Sequence, residues 1–149
     1  MKRTALQRRT PLVARRTALR TLTPMKPGHK VKATADESQR MDLVKRLGCI
    51  FCRLNPLLGL MVASTGPCDA HHELSGGRRI GHLATIGGCL WHHRGQPPVV
   101  GMSQDAAIER YGPSVATGSK ALHAMYGSDA ELLEFQNELL AMVEEVTDA

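Results

Sequence analysis

The sequence predicts a small α+β domain, a strand–turn–strand–helix core with flanking helices, behind a disordered basic tail. Three observations lead there. Cys/Cys and Cys/His pairs at i and i+3 spacing bracket residues 49–93, ten basic residues and no acidic one occupy positions 1–32, and apolar residues recur at helical spacing behind Ser/Thr caps. With 149 residues, 42% hydrophobic and 3% aromatic, the chain can fill one small core. A core so poor in rings often needs a metal or disulfide staple. No run of 18 apolar residues exists, so no membrane span is expected. No apolar stretch follows the basic start, so no secretory signal is expected either. Cysteines kept in a reducing compartment favour metal binding over disulfides.

The tail comes first. Lys2, Arg3, Arg8, Arg9, Arg15, Arg16, Arg20, Lys26, Lys30 and Lys32 leave nine basic against fourteen acidic residues for the rest of the chain. An irregular repeat runs through it: Arg3-Thr-Ala-Leu, Arg9-Thr-Pro-Leu, Arg16-Thr-Ala-Leu and a degenerate Leu22-Thr-Pro-Met. Pro11, Pro24 and Pro27 interrupt helices and like charges oppose collapse, so residues 1–32 are expected to stay disordered until bound. Such a coil reaches roughly 30 Å, and duplex phosphates lie about 1.7 Å apart along the axis. With a net charge of +5, a polyanion such as DNA is the expected partner. A solubilising or membrane-surface tail is the other reading a basic run permits.

The folded part, residues 33–149, is expected to open with a helix. Thr34-Ala-Asp-Glu37 has the form of a capping box, and a helix through Met41, Leu43, Val44 and Leu47 would stop at Gly48. Metal candidates in turns and short strands follow. Ser103 caps a short helix ended by Gly112-Pro113, and Ser128-Asp-Ala-Glu131 is a second capping box. It starts a helix with Leu132, Phe135, Leu139, Met142 and Val146 as its apolar stripe, read as core or partner surface.

Cys49-Ile-Phe-Cys52 aims two thiolates at one point. Alone it also fits a redox pair. Cys89-Leu-Trp-His92 decides between them, because a helix starting there puts Cys89 and His92 on one face. Cys49, Cys52, Cys89 and His92 would then form a closed Cys₃His site for a structural zinc ion. Cys68 competes for the place of third sulfur, and the paired spacing favours Cys89.

His93 is turned about 100° from His92 on a helix and cannot easily serve the same ion. Its natural partners are His71-His72, in a short strand written Cys68-Asp-Ala-His-His-Glu-Leu74. Ser75-Gly-Gly-Arg78 reads as a turn and His82–Ile86 as the returning strand, before Gly87-Gly88 and the helix. Histidines on the first strand and on the helix make a second, open metal site. Strict strand alternation separates His71 from His72, so both can serve only if the strand bends or ends there.

This pattern resembles zinc-containing HNH nucleases of the ββα-metal (His-Me finger) fold. More narrowly, it resembles the phage recombination enhancement function (Ref) family. The resembling stretches are the Arg-Thr-Pro-Leu tail, Cys-Asp-Ala-His71-His72, Ser-Gly-Gly-Arg-Arg-Ile-Gly-His82, Thr85-Ile-Gly-Gly-Cys89-Leu-Trp-His92-His93-Arg-Gly95 and Gly112-Pro-Ser with Gly118-Ser-Lys120. The resemblance implies that His71 and His93 hold a catalytic divalent ion, Mg²⁺ or Mn²⁺, and that His72 is the general base. His82 falls near the family motif's Asn and would brace His72 or act as a third ligand. Arg78, Arg79 and Arg94, with Arg8, Arg9, Arg15 and Arg16 of the tail, would grip DNA phosphates; solvated surface charge is the plainer reading.

The implied activity is endonucleolytic hydrolysis of DNA leaving 5′-phosphate and 3′-hydroxyl ends, at sites where a RecA-type filament has formed. The implied compartment is the cytoplasm of a bacterial host. A non-catalytic zinc module that binds nucleic acid as a recombination accessory protein is the rival reading. It accounts for the Cys₃His site and the tail but leaves His71, His72 and His93 unemployed.

Overall fold

The computed structural model describes residues 32–75 and 78–147, without side chains at 75 and 144–147. The basic tail other than Lys32, with Arg8, Arg9, Arg15 and Arg16, lies outside them, as do the glycines of the Ser75–Arg78 turn. Helix α1 (Ala35–Leu47) starts at Thr34 as the capping box requires, with Thr34 Oγ1 accepting from Glu37 N–H and Glu37 accepting from Thr34 N–H. It stops at Gly48, whose φ of 87° favours a residue without Cβ.

Cys49 caps a helix rather than lying in an irregular turn: α2 (Ile50–Leu54) follows it and runs into a 3₁₀ turn at Asn55–Leu58. Five residues are too few to show a helical period, so this element escaped the sequence.

Strand β1 (Asp69–His72) pairs antiparallel with β4 (Thr85–Gly88), and β2 (Leu74–Ser75) pairs with β3 (Arg78–Arg79). The expected single strand over 68–74 is thus divided at Glu73, whose side chain turns into the interior while its backbone still bonds Ala84 and Ile80. The returning strand is also shifted. It lies at 85–88, not 82–86, and contains Gly87 and Gly88 instead of ending before them. Close approach is the reason. A Cβ on Gly87 would run into the Gly48 carbonyl and lie 2.9 Å from Cys68 Sγ, and one on Gly88 would lie 3.0 Å from His93 Cβ.

The remaining elements are helical. Helix α3 (Leu90–Arg94) begins at Cys89, α4 (Gln104–Tyr111) is capped by Ser103, and α5 (Ser119–Tyr126) follows a 3₁₀ turn at Val115–Thr117. Helix α6 (Asp129–Thr147) starts at the Ser128–Glu131 capping box. Its inward row keeps Leu132 and Phe135 of the expected stripe on the core and departs from it at Met142. Leu132, Gln136 and Leu140 are buried, whereas Met142 is 61% exposed. The row is rotated because Gln136 Oε1 accepts the Gly87 N–H, a donor of β4 that faces α6. Phe51, Ile86, Trp91, Tyr111, Leu122, Tyr126 and Leu132 fill the core around the four buried residues Cys49, Cys52, Cys89 and His92. This α+β arrangement folds its α2, β4 and α3 segments around a cluster able to hold zinc.

Candidate metal centres and active site

Cys49 and Cys89 occupy equivalent places: each is the N-cap of a five-residue helix whose third residue, Cys52 or His92, completes a pair. A helical turn aims residues three apart at the same side, so each short helix delivers two donors. The four donor atoms lie within 4.8 Å of one another. Cys52 Sγ is 3.8 Å from Cys89 Sγ, and His92 Nδ1 is 3.3–3.5 Å from the three sulfurs. A tetrahedron with ordinary zinc–sulfur and zinc–nitrogen bonds has edges of roughly 3.8 and 3.5 Å. The residues present therefore fit a zinc ion.

His92 is also oriented from behind. Its Nε2–H donates to the Tyr111 carbonyl at 2.9 Å, which leaves the Nδ1 lone pair for the ion. Asn55, fully buried, donates to that carbonyl and accepts from the Tyr126 hydroxyl, so α4, α5 and the turn after α2 meet behind the ligand.

The electrostatics agree with a cation-binding cluster. Burial, then hydrogen bonds to Cys52 and Cys89, push the Cys49 thiol well above its ordinary range. Hydrogen bonds from Cys49 and Cys52 hold Cys89 far below it. Burial works against charge on His92, but its interactions with Cys52 and Cys89 bring it up to about 9. A divalent ion held by the four donors would take the place of the protons that Cys49 and His92 otherwise keep. Cys68 is outside this set: half-buried, it directs its Sγ at the Val44 carbonyl, 3.7 Å away, and burial raises it to about 11.

The second group of histidines lies on β1, on α3 and before β4. His71 and His93 face each other edge to face, with ring centroids 4.9 Å apart. His72 pairs with His82 instead, Nε2 to Nδ1 at 3.0 Å. Strand alternation thus sends the two residues of the doublet to different partners. The strand does end at His72, as their joint service would need. Burial, followed by the charges of His93 and His72, lowers the His71 pKa. Burial, followed by Arg79 and His82, lowers that of His72. Both imidazoles are neutral near pH 7, the state that ligation and base catalysis require.

Asp69 has no role in the spacing patterns of the sequence, yet it is built into this group. Its Oδ2 accepts from His93 Nδ1 at 3.2 Å and from Arg94 at 2.7 and 2.8 Å. Burial opposes ionisation of Asp69, but His93 and Arg94 hold its carboxyl below the usual range. Strand alternation puts Asp69 and His71 on one face at i and i+2, but nothing local in the sequence joins Asp69 to His93 or Arg94. Arg94 is therefore engaged by a carboxylate while remaining 58% exposed, and Arg78 and Arg79 are exposed on β3.

His71 also lines a cavity of about 270 Å³, with Phe51, Ile86 and Leu132 and with Glu73, His123 and Asp129. Burial and the neighbouring Asp129 raise Glu73 to about 7, and His123 bonds Asp129 at 2.7 Å. No spacing in the sequence joins Glu73 to residues 123 and 129, because only the folded chain brings the residue after β1 to the same cavity as His123 of α5 and Asp129 of α6.

Among the described residues, no helix is long and apolar enough to cross a membrane. Searches among curated proteins and among solved structures each found no match. A family model described as recombination enhancement, RecA-dependent nuclease matches residues 33–141, which span every element from α1 into α6. The chain belongs to the family of recombination-enhancing, RecA-dependent nucleases.

Proposed function

We propose that this chain is a metal-dependent HNH endonuclease that hydrolyses DNA phosphodiester bonds during recombination, acting where a RecA-type filament has formed. The observation that carries the reading is the meeting of His71 and His93, from strand and helix, at 4.9 Å between ring centres. Two imidazoles so disposed would hold a divalent ion, Mg²⁺ or Mn²⁺, that polarises a phosphate group. When bound, that ion stabilises charge on the leaving 3′-oxygen.

The protein's own part is proton transfer and positioning. His72 gives its Nε2–H to His82 Nδ1, 3.0 Å away, and so keeps Nδ1 bare to accept a proton from the attacking water. The water oxygen bonds to phosphorus, the bond to the 3′-oxygen breaks, and that oxygen takes a proton from solvent. His82 steadies the imidazolium formed on His72. Arg78, Arg79 and the free side of Arg94 hold flanking phosphates, and residues 1–32, with Arg8, Arg9, Arg15 and Arg16, bind DNA beside the nuclease domain of residues 33–149. A structural zinc on Cys49, Cys52, Cys89 and His92 holds the frame.

Cleavage of DNA with Mg²⁺ or Mn²⁺, with and without a recombinase filament, tests this against a non-catalytic zinc module. His72→Ala should lower cleavage by a factor of roughly 10²–10⁴ while DNA binding and zinc content persist. Equal cleavage by both proteins would remove His72 as base. Absence of cleavage under every condition would favour the binding module.

A further inference from the structure

We infer that Asp69 is a positioning residue that fixes the tautomer of His93, holding the proton on Nδ1 so that Nε2 presents its lone pair to a metal ion. This rests on the reading of His71 and His93 as ligands of the catalytic ion.

The geometry is specific. An imidazole turns its ligating nitrogen outward only when the other nitrogen has a fixed acceptor. Asp69 Oδ2 is that acceptor, 3.2 Å from His93 Nδ1. The carboxylate is itself held by two Arg94 nitrogens at 2.7 and 2.8 Å, so it cannot easily swing away. Arg94 follows His93 on α3, and Asp69 is two residues before His71 on β1. The three-residue link therefore ties together the two elements that bring His71 and His93 edge to face.

The backbone is arranged for the same approach. Asp69 pairs across the hairpin with Gly88, and a Cβ at Gly88 would lie only 3.0 Å from His93 Cβ. Glycine there lets α3 settle onto the strand beside Asp69. His92, the neighbouring histidine of the Cys₃His cluster, has the mirror arrangement: its Nε2–H is held by a carbonyl and its Nδ1 faces the three sulfurs. The two adjacent histidines are thus assigned opposite tautomers by separate acceptors, a backbone carbonyl for the zinc site and a carboxylate for the open site.

Two measurements on the full chain with zinc bound test this. Long-range ¹H–¹⁵N spectra report which nitrogen of each histidine carries the proton, without any catalytic ion or substrate. The expected result is His93 protonated at Nδ1 in the wild type and a mixture of tautomers in Asp69→Ala. Mn²⁺ affinity by electron paramagnetic resonance should fall about 10–100-fold in Asp69→Ala and be partly restored in Asp69→Asn, which keeps an acceptor oxygen. Zinc content and melting temperature identify a variant that has merely lost its fold. In that event the wild-type tautomer and the Asn variant still decide. A wild-type His93 protonated at Nε2, or Mn²⁺ affinity unchanged in a folded Asp69→Ala, would overturn the inference. Wild-type protein that binds no Mn²⁺ but shows the Nδ1 tautomer would instead overturn the reading of His71 and His93 as ion ligands.

Discussion

Cys68 and Cys89 are chemically identical, yet only Cys89 is one of the four donors of the cluster able to hold zinc. Cys89 opens a helix that returns His92 to the same side, whereas Cys68 precedes a strand and turns its sulfur to the Val44 carbonyl. Cys68→Ser should therefore keep one zinc per chain, and Cys89→Ser should lose it together with cooperative unfolding, as metal analysis and thermal melts would reveal. Gly87 shows the same dependence on surroundings. Its place against the Gly48 carbonyl and Cys68 Sγ leaves no room for a methyl group, so Gly87→Ala should cost about 1–3 kcal/mol of stability in denaturant titrations.

At the scale of elements, local signals and long-range demands divide cleanly. The capping boxes at Thr34–Glu37 and Ser128–Glu131 and the Ser103 cap appear where the sequence puts them, because a cap joins residues within four positions of each other. The inward row of α6 does so only in part: Leu132 and Phe135 meet the core as expected, while Gln136 is recruited by a strand N–H that no local pattern reveals. A pair of variants measures the rotation. Leu132→Ala, at a position 1% exposed, should cost about 2–5 kcal/mol. Met142→Ala, at a position on the expected stripe but 61% exposed, should change stability by no more than about 0.5 kcal/mol. Comparable losses at both would show that α6 buries the stripe its spacing suggests. The five-residue helices α2 and α3 sit between these cases, their ligand spacing legible but the helix of α2 too short to register.

For the whole molecule, the cluster joins α2 to α3 across nearly forty intervening residues, and the core is laid around it. Removal of an ion held there would leave three buried sulfurs and an imidazole without a common partner. A chelator strong enough to strip zinc should abolish the cooperative melt, and zinc added back should restore it. A fold that survives stripping would assign stability to the apolar core alone. The tail makes a separate prediction. Deletion of residues 1–32 should leave zinc content and the melt intact while weakening DNA binding at low salt. The log–log salt slope should become shallower by roughly 0.9 for each phosphate that the tail had neutralised. An unchanged slope would exclude the tail from the DNA interface.

The second histidine group carries the same division between the local and the distant. His71, His72, His82 and His93 were all visible as residues able to ligate or to move protons, since composition and short spacing suffice for that. Which histidine meets which was decided by the register of β1 on β4 and by the seat of α3. These bring His71 to His93, His72 to His82 and Asp69 beneath His93. The sequence by itself determined the α+β class, the caps, the basic tail and the Cys₃His set, because each is a matter of residue type and of neighbours a few positions apart. Tertiary structure alone decided the glycine-lined strand β4, the place of Gln136 in the inward face of α6 and the Asp69 carboxylate beside His93. Those depend on backbone groups distant in sequence that must be paired, or must be allowed to approach, once the chain is folded.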